Sequence, residues 1–89
     1  MTQNNTIAKV VVKKRYYKSG ALLRETPYVN GIRHGIAKGY YESGSLWYET
    51  PYVLGNIHGI VKNYEEGKSN IDGLALYEKG HEVASLNLV

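Results

Sequence analysis

Two glutamates and two histidines recur at one fixed spacing, and they are the residues of this chain best suited to acid–base or metal chemistry. Glu25 precedes His34 by nine residues, and Glu49 precedes His58 by the same interval. A carboxylate beside an imidazole can exchange protons, and both groups bind zinc. Catalysis would also need a nucleophile, a second acid at a defined spacing and a pocket. The pattern supplies none of these, so we expect no catalytic residue and no enzyme.

A shared metal is also not expected at these histidines. His34 and His58 lie one repeat apart, on hairpins separated by about 10 Å, whereas metal ligands need distances near ~2 Å. We therefore expect no metal and no other cofactor. Each histidine is expected to be structural and hydrogen-bonded to the backbone or to a carboxylate.

The recurring pairs belong to a tandem repeat of 24 residues. Residues 12–35 align with 36–59 without a gap, and 14 of the 24 columns are identical. A third copy, 60–89, begins in register and then loses the Pro-Tyr-Val and His-Gly blocks. Terminal repeats are often atypical because they cap an open end. We expect one domain, 1–89, made of these three units.

The repeat preserves residue types that turn a chain and pack a sheet. The residues to which we assign this structural role are Tyr17, Gly20, Glu25, Tyr28, Gly31, His34, Gly35, Tyr41, Gly44, Glu49, Tyr52, Gly55, His58 and Gly59.

Turn signals at short intervals predict a protein made only of strands. Asn30-Gly31 is the strongest, since both central residues of a type I′ turn need positive φ, and Gly55-Asn56 marks the next unit. Segments between turns are rich in Tyr, Val, Ile, Leu and Thr, which favour strands. The predicted strands are 9–17, 21–29, 32–41, 45–53, 57–64, 71–77 and 81–88. We predict an all-β fold, an antiparallel meander of tandem β-hairpins forming a curved, elongated single sheet.

The first hairpin predicts a side-chain pair across its strands. A two-residue turn at Asn30-Gly31 places Glu25 opposite Ile36 and diagonally from His34 on the same face. We hypothesise that Glu25 and His34 pair, and that the second unit repeats the pair. Such a pair would tie the two strands of each unit together.

Prolines and glycines mark where the sheet should bend. Pro27 and Pro51 lack an N–H, so they are expected at bulges or non-bonded positions, where they bend the second strand of each unit. Gly35, Gly39 and Gly59 are expected to let an aromatic ring lie across a strand, or to kink the sheet.

Composition excludes several classes of protein. Cysteine is absent, which excludes disulfides and thiolate metal sites. The N-terminus lacks the charged and apolar regions of a signal peptide, and no apolar run could span a membrane, so a cytoplasmic location is expected. Residues 1–44 carry eight Lys or Arg and two Glu, a net +6, whereas 45–89 carry three Lys and six acids, a net −3.

The recurring Tyr-Tyr-x-x-Gly, Tyr-Val-x-Gly and His-Gly blocks resemble the MORN repeat, in particular its longer bacterial variant. The matching stretches are YYKSGALLRETPYVNGIRHG at 16–35 and YYESGSLWYETPYVLGNIHG at 40–59. With a partial start at 60–67, where Glu65 replaces the second Tyr, the resemblance covers about two thirds of the chain. It implies hairpins in one elongated sheet and a non-catalytic scaffolding or lipid-contact module. Many bacterial members are labelled as antitoxins of toxin–antitoxin systems.

Differences between the copies are the better guide to function. Leu23–Arg24 in the first unit corresponds to Trp47–Tyr48 in the second, and the first strand is strongly basic. The residues we assign to partner binding are Lys13, Lys14, Arg15, Arg24, Trp47 and Tyr48. The aromatic residues that could line a concave face, or simply form the core, are Tyr17, Tyr28, Tyr41, Trp47, Tyr48 and Tyr52.

Three functions follow from these features. The first is a protein–protein interaction or scaffold module, with neutralisation of a partner toxin as a special case implied by the resemblance. The alternative is a binder of anionic lipid or nucleic acid, led by residues 9–18, although those lysines could equally be a solvated edge that discourages pairing. An enzyme acting on a small molecule is least expected. Self-association, head-to-tail or edge-to-edge, is expected because the basic and acidic ends are complementary.

Overall fold

The computed structural model describes residues 7–88, and they form one antiparallel sheet that does not close. The strands are β1 (Val10–Tyr16), β2 (Leu22–Val29), β3 (Ile32–Arg33), β4 (Gly35–Tyr40), β5 (Leu46–Val53), β6 (Asn56–Ile57), β7 (Gly59–Tyr64), β8 (Ile71–Glu78) and β9 (His81–Asn87). They neighbour each other in the order β1-β2-β4-β5-β7-β8-β9, while the short strands β3 and β6 pair with β2 and β5. The predicted all-β meander in a single sheet is confirmed.

Two-residue turns join the strands within each unit. Asn30 and Gly31 have φ of 51° and 83°, as the predicted type I′ turn requires. In the second unit the turn lies at Leu54 and Gly55, with φ of 48° and 90°, and not at Gly55-Asn56 as predicted. Leu54 occupies the place of Asn30 in the repeat. The hairpin register therefore fixes the position of the turn, although leucine is a poor residue for a left-handed conformation.

The predicted register of the first hairpin is wrong beyond its first two pairs. The strand predicted over 32–41 is interrupted at His34, whose N–H donates to the Pro27 carbonyl at 3.1 Å. Gly35 follows with φ of 112°. This bulge shifts the register by two residues, so Glu25 lies opposite Lys38 and not Ile36. Because the shift is an even number, each side chain keeps its predicted face.

The two prolines do not interrupt their own strands; the interruption lies in the chain segment that faces them. β2 continues through Pro27, which pairs with Val12, and the interruption falls on the facing residue His34. A Cβ at Gly35 would lie 3.1 Å from Cγ of Pro27, and one at Gly59 would lie 3.2 Å from Cγ of Pro51. These two glycines therefore fit a proline ring and a kink, not an aromatic ring.

The third unit keeps the hairpin register although its sequence has diverged. Gly59 lies opposite Tyr77, as Gly35 lies opposite Tyr52 in the unit before it. Lys79 and Gly80 form its two-residue turn, with φ of 50° and 88°. Tyr77 thus takes the place that the tyrosine of the lost Pro-Tyr-Val block would have filled.

Side chains of this single layer alternate between two faces. We call one the basic face; it presents Lys13, Arg15, Arg24 and Arg33 with Tyr28, Tyr48 and Tyr52. We call the other the Lys–Glu face; it presents Lys14, Glu25, Lys38, Glu49 and Lys62. Among the described residues the only buried apolar side chain is Ala37, which is 6% exposed. The sheet therefore has almost no core of its own.

Candidate functional site

The basic face gathers four cations, all of them from the first unit. Arg15 lies directly opposite Arg24 across β1 and β2, and Lys13 lies opposite Thr26. Arg33 enters from β3, which pairs with β2 at Tyr28. The described strands β1 to β5 place no acidic side chain on this face, because strand alternation sends their two glutamates to the other side. The result is a positively charged surface without internal neutralisation.

Two of these cations rest on tyrosine rings. The Lys13 ammonium lies 4.7 Å from the centroid of the Tyr28 ring, and the Arg33 guanidinium carbon lies 4.7 Å from that of Tyr52. Both distances are within the range of cation–π attraction. The two tyrosines occupy the same repeat position one unit apart, and the contacts hold each cation close to the sheet while leaving its N–H groups available.

Gly39 lies between the two copies of one variable repeat position, Arg24 and Tyr48. It lies opposite Arg24 on one side and opposite Tyr48 on the other. The Tyr48 ring covers it so closely that a Cβ at Gly39 would lie 2.0 Å from a ring carbon. The prediction that Gly39 lets an aromatic ring lie across the strand is confirmed.

Small and hydroxyl-bearing residues form the floor between the rings. The groove over the middle of the basic face is lined by Thr26, Ala37 and Thr50, in addition to the arginines and tyrosines already named. A second groove, over β1 and β2, continues it and shares Arg24, Thr26 and Tyr28 with it. The combined surface offers guanidinium and hydroxyl donors over a row of aromatic rings.

Trp47 stands at the end of this surface. It stacks on Tyr41 with ring centroids 5.4 Å apart and meets Tyr48 edge-on at 5.3 Å. Trp47 lies where the register between β4 and β5 shifts, and it stays 39% exposed. Its indole therefore supports Tyr48 from the side and still presents an edge to a partner.

The predicted partner-binding residues are divided between the two faces. Lys13, Arg15, Arg24 and Tyr48 share the basic face, whereas Lys14 lies opposite Glu25 in the strand register and points to the other face. Lys14 is thus separated from its sequence neighbours. The dense basic segment of the sequence is not one patch, because alternate residues of a strand point to opposite sides.

Sequence reasoning missed Arg33 as a site residue. The repeat alignment could have identified it, since Arg33 corresponds to Ile57 in the next unit. A cation that only one copy carries is a difference between copies, and such differences indicate functional residues. It was overlooked because Arg33 lies apart from the basic first strand. The hairpin turn brings it back over Tyr52.

The hypothesised pairing of glutamate with histidine is wrong. Glu25 accepts a hydrogen bond of 2.6 Å from the Tyr40 hydroxyl, and Glu49 accepts one of 2.5 Å from Tyr64. Burial, followed by this hydrogen bond to Glu25, raises the pKa of Tyr40 to about 12. The hydrogen bond to Glu49 is the main cause of a raised pKa at Tyr64. The two-residue bulge is the reason, since it carries the tyrosine and not the histidine toward the carboxylate.

Each histidine instead connects one unit to the turn of the next. Nδ1 of His34 accepts the N–H of Leu54 at 3.2 Å, and Nδ1 of His58 accepts the N–H of Lys79 at 3.1 Å. Because Nδ1 of each ring accepts a hydrogen bond, it carries no proton, and the proton of the neutral imidazole is on Nε2. The expectation that the histidines are structural and bonded to the backbone agrees with these contacts.

The repeated tyrosines and glycines have similar roles in joining units and forming turns. The Tyr17 hydroxyl donates to the carbonyl of Tyr40, and the Tyr41 hydroxyl to that of Tyr64, each at 2.7 Å. The turn glycines adopt positive φ of 83–98°; they are Gly20, Gly31, Gly44 and Gly55. The predicted aromatic row is therefore split, with Tyr17 and Tyr41 used between units while three other tyrosines line the basic face.

The described residues contain no group of three metal-binding side chains. They also contain no helical segment with the length and hydropathy of a membrane span. The chemistry that the basic face can perform is recognition of negative charge, through fixed guanidinium and ammonium donors above aromatic rings.

Comparison with known families finds the same repeat that organises this sheet. The family described as "MORN repeat variant" matches the chain twice, at residues 9–30 and 33–53. The matched segments contain β1, β2, β4 and β5 and, with Arg33 of β3, every cation of the basic face. No curated protein and no solved structure matches the chain.

Proposed function

We propose that this chain, which carries two units of the MORN repeat variant, is a non-catalytic interaction module that binds an acidic segment of a partner protein on its basic face. MORN repeats are in general modules for contact with proteins or membranes. The observation that carries the narrower proposal is the Arg15–Arg24 pair. Like charges directly opposite each other destabilise a sheet, and no acid of β1 to β5 relieves this pair on its own face.

A carboxylate-bearing segment suits this surface because three of its four cations are arginines. The planar guanidinium binds a carboxylate through two parallel hydrogen bonds, which a lysine cannot do. Arginine and tyrosine are also enriched in protein interfaces relative to the rest of protein surfaces. The cation–π contacts of Lys13 and Arg33 reduce the number of conformations that these side chains lose on binding.

Two features of the sheet favour a protein partner over the alternative of nucleic acid or membrane. Tyr28 and Tyr52 are each covered by a cation, so those ring faces are not free to stack on bases. The most exposed apolar side chains of the middle strands, Ile36 and Ile60, lie on the Lys–Glu face. A membrane bound to the basic face would therefore not contact these two isoleucines.

Fluorescence anisotropy with labelled peptides tests the proposal. Glu/Asp-rich peptides should bind the full chain, and Gln/Asn counterparts of the same sequences should not. The double variant Arg24→Gln with Arg33→Gln should lose the acidic peptides, while Lys62→Gln on the opposite face serves as the matched control. Equal binding by both variants would refute the proposal. Tighter binding of phosphatidylserine vesicles or oligo-dT than of any peptide would favour the anionic-surface alternative.

Neutralisation of a toxin is a narrower form of the same function and rests on the family resemblance alone. It would require that the chain bind a toxic protein through the basic face and restore growth when both are produced together. Loss of that rescue in the arginine double variant, with rescue retained in Lys62→Gln, would support it. Association with membranes or a cytoplasmic location is best followed by fractionation of cells that produce the chain.

A further inference from the structure

Charges alternate along one row that crosses the Lys–Glu face. Lys14 lies opposite Glu25, Glu25 opposite Lys38, Lys38 opposite Glu49, and Glu49 opposite Lys62. Both glutamates accept tyrosine hydroxyls, as described above. Within the described residues no lysine of this row lies within 4.0 Å of a carboxylate. The lysines therefore keep their capacity to bind a carboxylate from outside the chain.

An apolar row runs beside the charged row on the same face. Val12 pairs with Pro27, Ile36 with Pro51, Ile60 with Leu76 and Leu76 with Ala84. Its larger members are well exposed for residues of a sheet: Val12 is 48%, Ile36 53%, Ile60 48% and Leu76 39% exposed. Since this row crosses all seven main strands, it forms a continuous apolar stripe, and none of the other residues in 7–88 covers it.

We infer that a second copy of this chain covers the Lys–Glu face, so that two sheets pack face to face about a two-fold axis. The axis runs parallel to the strands and passes between β4 and β5. This rotation places Lys38 against Glu49 of the second copy and Glu25 against its Lys62, each contact occurring twice. It also places Ile36 against Pro51 and Ile60 against Pro27 of the second copy.

The alternation of charge identifies the occupant as another copy. A two-fold axis midway between a lysine and a glutamate converts an alternating row into its own complement, because each position then meets the opposite charge. Rotation about an axis that crosses the strands would reverse the order of the rows, so that like charges would face each other or the charged row would face the apolar one. The row is thus complementary to itself in the one orientation that also pairs the apolar stripes.

The lack of a core supports a second layer. Stable domains bury a sheet face against another element, yet Ala37 is the only buried apolar residue in 7–88. Overlap of six strands spans about 24 Å by about 20 Å, from spacings of ~4.8 Å between strands and ~3.3 Å between residues. That is about 1,000 Å² over two copies, the smallest area expected of a specific interface. The dimer should therefore dissociate on dilution.

Sedimentation velocity of the full chain over a wide concentration range tests the inference. The wild-type chain should shift from monomer to dimer as concentration rises. Ile36→Glu should raise the dissociation constant at least about tenfold, because it places a charge in the apolar stripe. Val83→Glu, at a position that is 51% exposed on β9 and outside both rows, is the matched control and should dimerise as the wild type does.

Charge reversal gives a second test that does not depend on the stability of one variant. Lys38→Glu with Lys62→Glu in one chain, and Glu25→Lys with Glu49→Lys in another, should each abolish the dimer. A mixture of the two should form a heterodimer, since every facing pair is again of opposite sign. A wild-type chain that is monomeric at all concentrations, a dimer that survives Ile36→Glu, or a folded mixture that stays monomeric would overturn the inference.

The earlier expectation of edge-to-edge association predicts a different result. β1 and β9 are the two edges of the sheet and are exposed along their whole length. A dimer held by these edges would be lost in Val11→Pro, which interrupts β1, and retained in Ile36→Glu. That combination would contradict face-to-face packing.

Discussion

The Tyr40 hydroxyl donates a 2.6 Å hydrogen bond to the Glu25 carboxylate across the first two units of the sheet. The bond joins residues 15 positions apart, and Tyr64 and Glu49 repeat it at the same separation. Burial disfavours the charged phenolate, the neighbouring carboxylate adds to this, and the two together raise the pKa of Tyr40 to about 12. Each unit is therefore connected to the next by a contact that needs a protonated tyrosine.

Stability should fall at alkaline pH as a consequence. The unfolded chain releases the tyrosine proton near pH 10.0, whereas the folded chain holds it until about pH 12. The contribution of Tyr40 is therefore complete below pH 10.0 and is lost as the pH rises through the folded pKa. Chemical denaturation at a series of pH values should show this decline. Tyr40→Phe should reduce it, whereas Tyr16→Phe, at an exposed position in β1, should not.

Gly39→Ala should destabilise the protein by about 1–3 kcal/mol, the usual cost of overpacking. The new Cβ would lie 2.0 Å from the Tyr48 ring, which must leave its place over β4. Gly73→Ala is the matched control, because the corresponding Cβ has no neighbour closer than 3.9 Å. Thermal denaturation compares the two. Equal stability of both variants would show that Tyr48 moves aside without cost.

Leu54→Asn should stabilise the protein by about 1 kcal/mol. Leu54 adopts φ of 48°, a left-handed conformation that costs most residues roughly 1–2 kcal/mol and that asparagine tolerates better. Little burial is lost, because Leu54 is 73% exposed. The reciprocal Asn30→Leu should lower the midpoint of denaturation. An unchanged or lower midpoint for Leu54→Asn would mean that the leucine has packing partners that outweigh the strain.

Arg24→Gln should separate stability from binding. Relief of the repulsion between Arg24 and Arg15 should raise the free energy of unfolding by about 0.2–1 kcal/mol. Binding of acidic peptides should weaken in the same variant, because the basic face loses a guanidinium. Denaturation and anisotropy measured on one preparation check both effects. A variant that is less stable and binds equally well would assign Arg24 a role in packing.

Much of the architecture was accessible from the sequence because short-range signals specify it. The gapless recurrence of 12–35 at 36–59, with turn residues at a constant interval, was enough to predict strands, hairpins and one sheet. Alternation of faces was predictable as well, since the bulge shifts the register by an even number. Four of the six residues assigned to partner binding share one face for this reason.

The partners of individual side chains required the tertiary structure. The sequence marked a bulge or kink near Pro27 and Gly35 but not its size, and the two-residue shift at His34 and Gly35 moved Glu25 from Ile36 to Lys38 and within reach of Tyr40. Residues far apart in sequence then meet across strands, as Arg33 does with Tyr52. The sequence by itself determined the hairpin repeat, because turns and strands depend on neighbouring residues. Only the tertiary structure decided which side chains meet across strands, because that depends on the register between strands.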